Sequence, residues 1–242
     1  MKLGDMKKIK GIFFDVESTL RVREEDAPHQ EDARQRMAEL AEWPDVRALA
    51  GLVEERYRSY RAWASAERQE AGDFELWSKW LLPEMDRERL AAVCHELTYQ
   101  YRQTKGRYRA ASGGLRAVRR LYERGFRLGI LSNLIGEEEI PEWLLENGLS
   151  QYFDTVALSS RRGIRMPDPE FYRLGCEELG LEPPECAFVT GGAGWDPAGA
   201  RKAGIGASVL LTGPEESAAG AAPEHIIYQL QDLLELSVFQ NA

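Results

Sequence analysis

The sequence predicts an α/β fold: a parallel sheet with helices on both faces, carrying a helical insertion after its first strand. Three observations predict it. Ile12, Phe13 and Phe14 form an apolar run that stops at Asp15, as a buried strand does where it opens onto a site. From Leu20 to about Lys105 the chain is rich in Ala, Glu, Arg and Leu, with apolar residues at helical spacing. From Ser112 onward, short apolar runs alternate with helical stretches that end at glycine, the strand–helix alternation of a parallel sheet.

The segment Met1 to Lys10 is basic and polar and leads into the first strand from about Ile9. In the insertion, Val46, Leu49, Val53, Tyr57, Tyr60 and Ala64 recur at three- and four-residue steps, an amphipathic helix period. Pro44 and Asp45 supply its start. Leu90, Val93, Leu97 and Tyr101 repeat the period, with Asp86 placed to cap. Between them Phe74, Leu76, Trp77, Trp80 and Leu81 form an aromatic stretch better read as core than as a ligand box. Residues 21–105 thus read as a bundle of about four helices, set between core segments 1–20 and 106–242.

Ser112-Gly113-Gly114 marks the return to the core. A helix from Leu115 to Arg124 stops at Gly125, and Phe126 to Leu131 is a strand ending in Ser132 and Asn133. A helix around Glu142 to Glu146 ends at Asn147-Gly148. Thr155 to Leu158 is a strand leading into a polar loop with Arg161, Arg162 and Arg165. Phe171 to Leu179 is helical, Cys186 to Thr190 is a strand, and a helix from Pro197 to Ala203 stops at Gly204. Ala207 to Leu211 is a further strand. After the small-residue loop Gly213 to Pro223, His225 to Leu236 carries a final strand or helix.

The 242 residues are 43% hydrophobic, enough for a sizeable core and against global disorder. A net charge of −9 argues against any general attraction to nucleic acid or anionic membrane. No segment reads as a signal peptide, and the run at Ile12 to Phe14 is far too short to span a bilayer. Cys94, Cys176 and Cys186 are scattered and odd in number, which suggests reduced thiols in a cytoplasmic protein.

Asp15 and Glu17 lie two positions apart, so on an extended segment their side chains point the same way. That segment alone reads equally well as a carboxylate site or as an ordinary strand end. Polar clusters also follow Ser132, Leu158 and Val189, and in a parallel sheet all four strand ends share one edge, which favours a site. His29, His95 and His225 are isolated, with no second ligand at metal spacing. Gly191, Gly192 and Gly194 lack the remainder of a phosphate-loop or dinucleotide pattern. Arg161 and Arg162 read as a solvated pair, and Trp195 reads as a plug of the cavity rather than a stacking platform.

With these clusters in order, the chain resembles the haloacid dehalogenase (HAD) superfamily, in its branch with a helical cap after the first strand. FFDVEST resembles the first motif, LGILSN the second, LSSRRGIRMPDPEFY the third and FVTGGAGWDPAGARKAG the fourth. The resemblance implies a Rossmann-like core and hydrolysis of small phosphorylated metabolites through an aspartyl-phosphate. By position it makes Asp15 the nucleophile and Glu17 the acid/base. It makes Ser132, Asn133 and Arg165 the phosphate-binding residues, and Asp15, the Glu17 carbonyl and Asp196 the Mg²⁺ ligands.

Three departures weaken this chemistry. The acid/base position holds Glu17 where the family has Asp, one methylene and about 1.5 Å longer. The family's Lys is Met166, and losing one such charge stabiliser costs about 3–4 kcal/mol. Its metal-binding Gly-Asp pair is Thr190-Gly191, which leaves Asp196 as the fourth-motif carboxylate. Mg²⁺ binding is therefore expected to be weak or absent. Arg165 is the candidate replacement cation, although on an extended segment its side chain starts on the face opposite Met166. Two functions follow: a phosphatase-type hydrolase with impaired catalysis, or a non-catalytic member that binds a ligand or regulates a partner.

Overall fold

Strand β1 (Gly11–Phe14) is buried at all four residues and lies inside a six-stranded sheet. The structure is a computed structural model and describes residues 8–191, 198–213 and 223–240. After β1 come β2 (Arg21–Glu24) and the helices α1 (Ala27–Ala41), α2 (Val46–Glu67), α3 (Asp73–Glu75) and α4 (Arg87–Gln103), a π-helical turn Leu76–Leu81 following α3. Then come β3 (Arg107–Ala110), α5 (Gly114–Glu123), β4 (Arg127–Ser132), α6 (Glu139–Glu146), β5 (Thr155–Leu158), α7 (Ser159–Arg162) and α8 (Pro169–Glu178). The chain closes with β6 (Cys186–Gly191), α9 (Ala198–Ala203), β7 (Ala207–Leu211) and β8 (His225–Ile227). Among the described residues, no helix is long and apolar enough to cross a membrane.

The sheet order is β5-β4-β1-β6-β7-β8, and every pair is parallel. Phe14 stands opposite Ile130 on one side and Val189 on the other, so the chain leaves β1 between the ends of β4 and β6. Side chains alternate across the sheet. Ile12 and Phe14 join a cluster with Val118, Leu121, Ile140 and Trp143 of α5 and α6. Phe13 joins the opposite cluster, with Phe171, Tyr172, Cys176 and Ala200 of α8 and α9. Helix α8 lies so close that a Cβ on Gly175 would stand 2.7 Å from Leu131 and 3.2 Å from the Phe13 ring.

The helical segment has its own core of Met37, Leu49, Val53, Tyr60, Trp77 and Leu97, which Ile135 of the loop after β4 enters. Three of its helices start on Asp26, Asp45 and Asp86, whose carboxylates accept from the amides of His29, Ala48 and Arg89. The predicted starts at Asp45 and Asp86 are among them.

Three elements, β2, β3 and α7, differ from the sequence expectation. β2 and β3 pair antiparallel as a ribbon at the root of the helical segment, on either side of the expected boundary at residue 105. Their sequences, RVRE and RYRA, are short and mostly charged, so they carry no buried-strand pattern. The predicted polar loop after β5 begins as α7, which closes on Gly163 in the left-handed conformation. At the C-terminus β8 is followed by a 3-10 turn, Leu230–Glu235.

Phe13 fills the space under Gly129 and Gly175, where neither glycine leaves room for a compensating side chain. Phe13→Ala is expected to lower the urea-unfolding free energy by about 3–5 kcal/mol.

Candidate active site

The end of β1 delivers Asp15 to the carboxyl edge of the sheet. Its amide donates to the Val189 carbonyl at 2.9 Å, which continues the β1–β6 ladder by one residue. Its carboxylate is oriented by two donors, the Ser132 hydroxyl and the Val16 amide, each 2.7 Å from Oδ1. Burial raises its pKa to about 7; these two hydrogen bonds oppose the rise, Glu17 adds to it and Arg21 opposes it. Asp15 is therefore part protonated near neutrality, and Ser132, expected to hold phosphate, here holds the carboxylate.

Glu17 does not stand free beside it. Its carboxylate takes a close ion pair from Arg102 of α4 and a second from Arg21 of β2 at 3.2 Å. Both arginines also reach Glu139 of α6, Arg102 through Nε at 2.8 Å and Arg21 through Nη2 at 3.3 Å. Arg102 Nη2 further donates to the Tyr108 hydroxyl at 2.9 Å. Burial works to raise the Glu17 pKa, but the Arg102 and Arg21 charges overcome it and hold the group below the usual carboxylate range. Burial likewise disfavours charge on Arg102, yet Glu139 and Glu17 keep its pKa well above the ordinary value. Glu17 is thus a fixed anion at neutral pH, with no proton to give to a leaving group.

The third-motif region is tied down from two directions. The Asn133 side chain donates to the Met166 carbonyl and accepts from the Met166 amide, both at 2.8 Å. This pair of hydrogen bonds fixes the main chain of Met166, a cleft-lining residue, and occupies much of the amide expected to contact phosphate. Arg165 also lines the cleft, but its guanidinium pairs at 3.2 Å with Glu70 of the helical segment. Glu70 in turn accepts from Ser159 at 2.9 Å and, through a short bond, from the Tyr60 hydroxyl. Arg165 is therefore spoken for by a buried carboxylate.

The cleft over Asp15 has a volume of about 320 Å³ and is lined by three guanidinium groups, Arg61, Arg102 and Arg165. Sequence reading alone did not single out Arg21, Arg61, Glu70 or Arg102. Only Arg21 carried a signal, standing four residues after Glu17; Arg61 and Arg102 reach the site from α2 and α4, and Glu70 from the connection between α2 and α3.

The described residues do not fit Mg²⁺. Among the described residues no group of three His, Cys, Asp or Glu side chains could hold a metal. Gly191 also lacks room for a carboxylate: a Cβ there would lie 1.9 Å from the Ser18 carbonyl oxygen, in a turn where Ser18 takes φ 58°. Asp196, with Trp195, Gly192 and Gly194, lies outside the described residues.

Two outcomes follow. Gly191→Asp, alone or with Met166→Lys, is expected to lower stability by at least the overpacking cost of about 1–3 kcal/mol. Calorimetric titration should then show no gain in Mg²⁺ affinity. The second concerns pH. The folded-state pKa of Asp15 is raised from 3.8 to about 7, so its stabilising protonation is complete below the unfolded value and lost as pH rises through the folded one. The urea midpoint of the wild type should fall relative to Asp15→Asn between about pH 4 and pH 8.

Comparison with known proteins identifies the family. The sequence model for haloacid dehalogenase-like hydrolases matches residues 9–204. The chain is 30% identical over 172 residues to a phosphoserine phosphatase of Thermus thermophilus, covering 71% of this chain and 66% of that one. It is 33% identical over 171 residues to (S)-2-haloacid dehalogenase 1 of a Pseudomonas species, covering 69% of this chain and 67% of that one. The solved structure of a 2-haloacid dehalogenase from Pseudomonas syringae superposes with a TM-score of 0.67 at 19% identity, covering 94% of this chain and 97% of that one, a likeness of fold. With Asp15 at the end of its central strand and the family's sequence model spanning most of its length, this chain belongs to the haloacid dehalogenase-like hydrolases.

Proposed function

We propose that this hydrolase takes a small phosphorylated molecule into the cleft over Asp15, under a cap formed by the helical segment, and turns it over weakly. The observation that carries this reading is the double arginine hold on Glu17. Attack of an Asp15 oxygen on phosphorus would form an aspartyl-phosphate and expel an alkoxide, which needs a proton. Glu17, kept ionised by Arg102 and Arg21, has none to supply. Met166 adds no positive charge as negative charge gathers in the transition state. Ligand binding is better supported than turnover, because Asp15 is held in place and the cleft wall carries guanidinium groups. The phosphatases among its relatives, one named for phosphoserine and others for glyceraldehyde 3-phosphate, support a small phosphate ester as the ligand.

A second reading, binding with no turnover, is favoured by the Asn133–Met166 bonds, which hold the backbone of a methionine at the position of the family's lysine.

One assay compares the two with ordinary hydrolysis: a broad set of phosphate monoesters, with and without Mg²⁺, beside Asp15→Asn. Turnover far below the ordinary enzymatic range of about 1–1,000 s⁻¹, lost in the variant, is the expected result. Mg²⁺-dependent turnover within that range would overturn the proposal, and none above the variant's background would favour the second reading.

A further inference from the structure

We propose that Arg102 is the anion receptor of the cleft and that Glu17 is its resident stand-in: an entering phosphate group takes the place of the Glu17 carboxylate on the Arg102 guanidinium. This rests on the reading of the cleft as a phosphate-binding site. The contacts of Arg102 fall into two sets. Glu139, through Nε at 2.8 Å, and the Tyr108 hydroxyl, through Nη2 at 2.9 Å, hold the guanidinium without help from the cleft. Among the described residues, Glu17 alone meets it from the cleft side, where both residues are lining groups.

Exposure separates the partners in the same way. The side chains of Arg21, Glu139 and Arg102 are 0%, 7% and 9% exposed, whereas that of Glu17 is 38% exposed. Glu17 is therefore the one member whose own charge can turn out into solvent. Charge balance points the same way. Arg21 and Arg102 are matched by Glu17 and Glu139, so departure of Glu17 leaves one positive charge uncompensated at the cleft wall. A phosphate oxygen restores the match, and a guanidinium still anchored by Glu139 and Tyr108 needs little reordering to receive it. Arg165 offers no such exchange, because its partner Glu70 is 2% exposed and held by Tyr60 and Ser159. The carboxylate at position 17 thus acts as a competitor for ligand rather than as an acid.

The test is calorimetric titration of inorganic phosphate near neutral pH and low salt into the full chain and into Glu17→Gln, Arg102→Lys and Arg102→Gln, with circular dichroism melts as the check on folding. Glu17→Gln keeps the shape and removes the competing charge, and should bind phosphate about 10-fold tighter than wild type. A variant that binds where the wild type shows no signal supports the exchange equally. Arg102→Gln should weaken binding by about 10-fold or more. If that variant fails to fold, because Glu139 loses its partner, Arg102→Lys carries the test: a lysine cannot span Glu139 and phosphate as a planar fork does, and binding should still weaken. Equal affinity in wild type and Glu17→Gln, or in wild type and both Arg102 variants, overturns the proposal while leaving the cleft as a phosphate site. No binding by wild type or Glu17→Gln at tens of millimolar phosphate overturns the proposal and the cleft reading together.

Discussion

The buried ion network of Glu17, Arg21, Arg102 and Glu139 is the constraint on which the site depends. It draws on the loop after β1, on β2, on α4 and on α6, with Tyr108 of β3 as a further partner. Taking such charges out of water is unfavourable, and the network holds because each cation meets two carboxylates. Among the described residues, Nε and Nη1 of Arg21 have no hydrogen-bond acceptor, but its guanidinium lies 3.9 Å over the Tyr108 ring, a favourable cation–π contact. Removing one member would strand its partners, at roughly 3–5 kcal/mol for a buried pair. The helical segment and the sheet are therefore joined by the same ions that decide the protonation state of Glu17.

That arrangement explains how a firmly placed Asp15 carboxylate coexists with a Glu17 that carries no proton. Asp15 is positioned by backbone: the β1–β6 ladder fixes its main chain, and Ser132 at the end of the neighbouring β4 fixes its carboxylate. Such placement survives a change of neighbouring side chains. Acid/base work is less tolerant, since it needs a proton held at the right pKa, and two guanidinium groups beside Glu17 remove that proton. The turn at Ser18 adds a steric limit, because its carbonyl packs against Gly191 where no Cβ fits. Space thus opposes a metal carboxylate at Gly191.

A second link between the helical segment and the sheet is built on the same plan. Glu70, fully buried, gathers Arg165, Ser159 and the Tyr60 hydroxyl. Burial, with the Glu70 charge beside it, raises the Tyr60 pKa far above its usual value, so this hydroxyl stays a donor across the accessible pH range. Both links spend cleft cations on internal carboxylates, and they differ in one respect: Glu17 is partly exposed and Glu70 is not.

The sheet was legible in the sequence because apolar runs and glycine stops are local signals, and β1, β4, β5, β6 and β7 each carry them. The positions of Asp15 and Ser132 followed from those strand ends, and the departures at Met166 and Gly191 from the resemblance to the family's motifs. The β2–β3 ribbon was not legible, since its strands are short and charged. Nor were the partners of the site residues: Arg102 stands 85 residues from Glu17, and Glu70 reaches Arg165 from the other side of the sheet's second strand in sequence. By itself the sequence determined which side chains stand at the strand ends. Tertiary structure decided which of them remain free to act, because ionisation depends on burial and on charges brought together across the fold, and neither leaves a periodic trace along the chain.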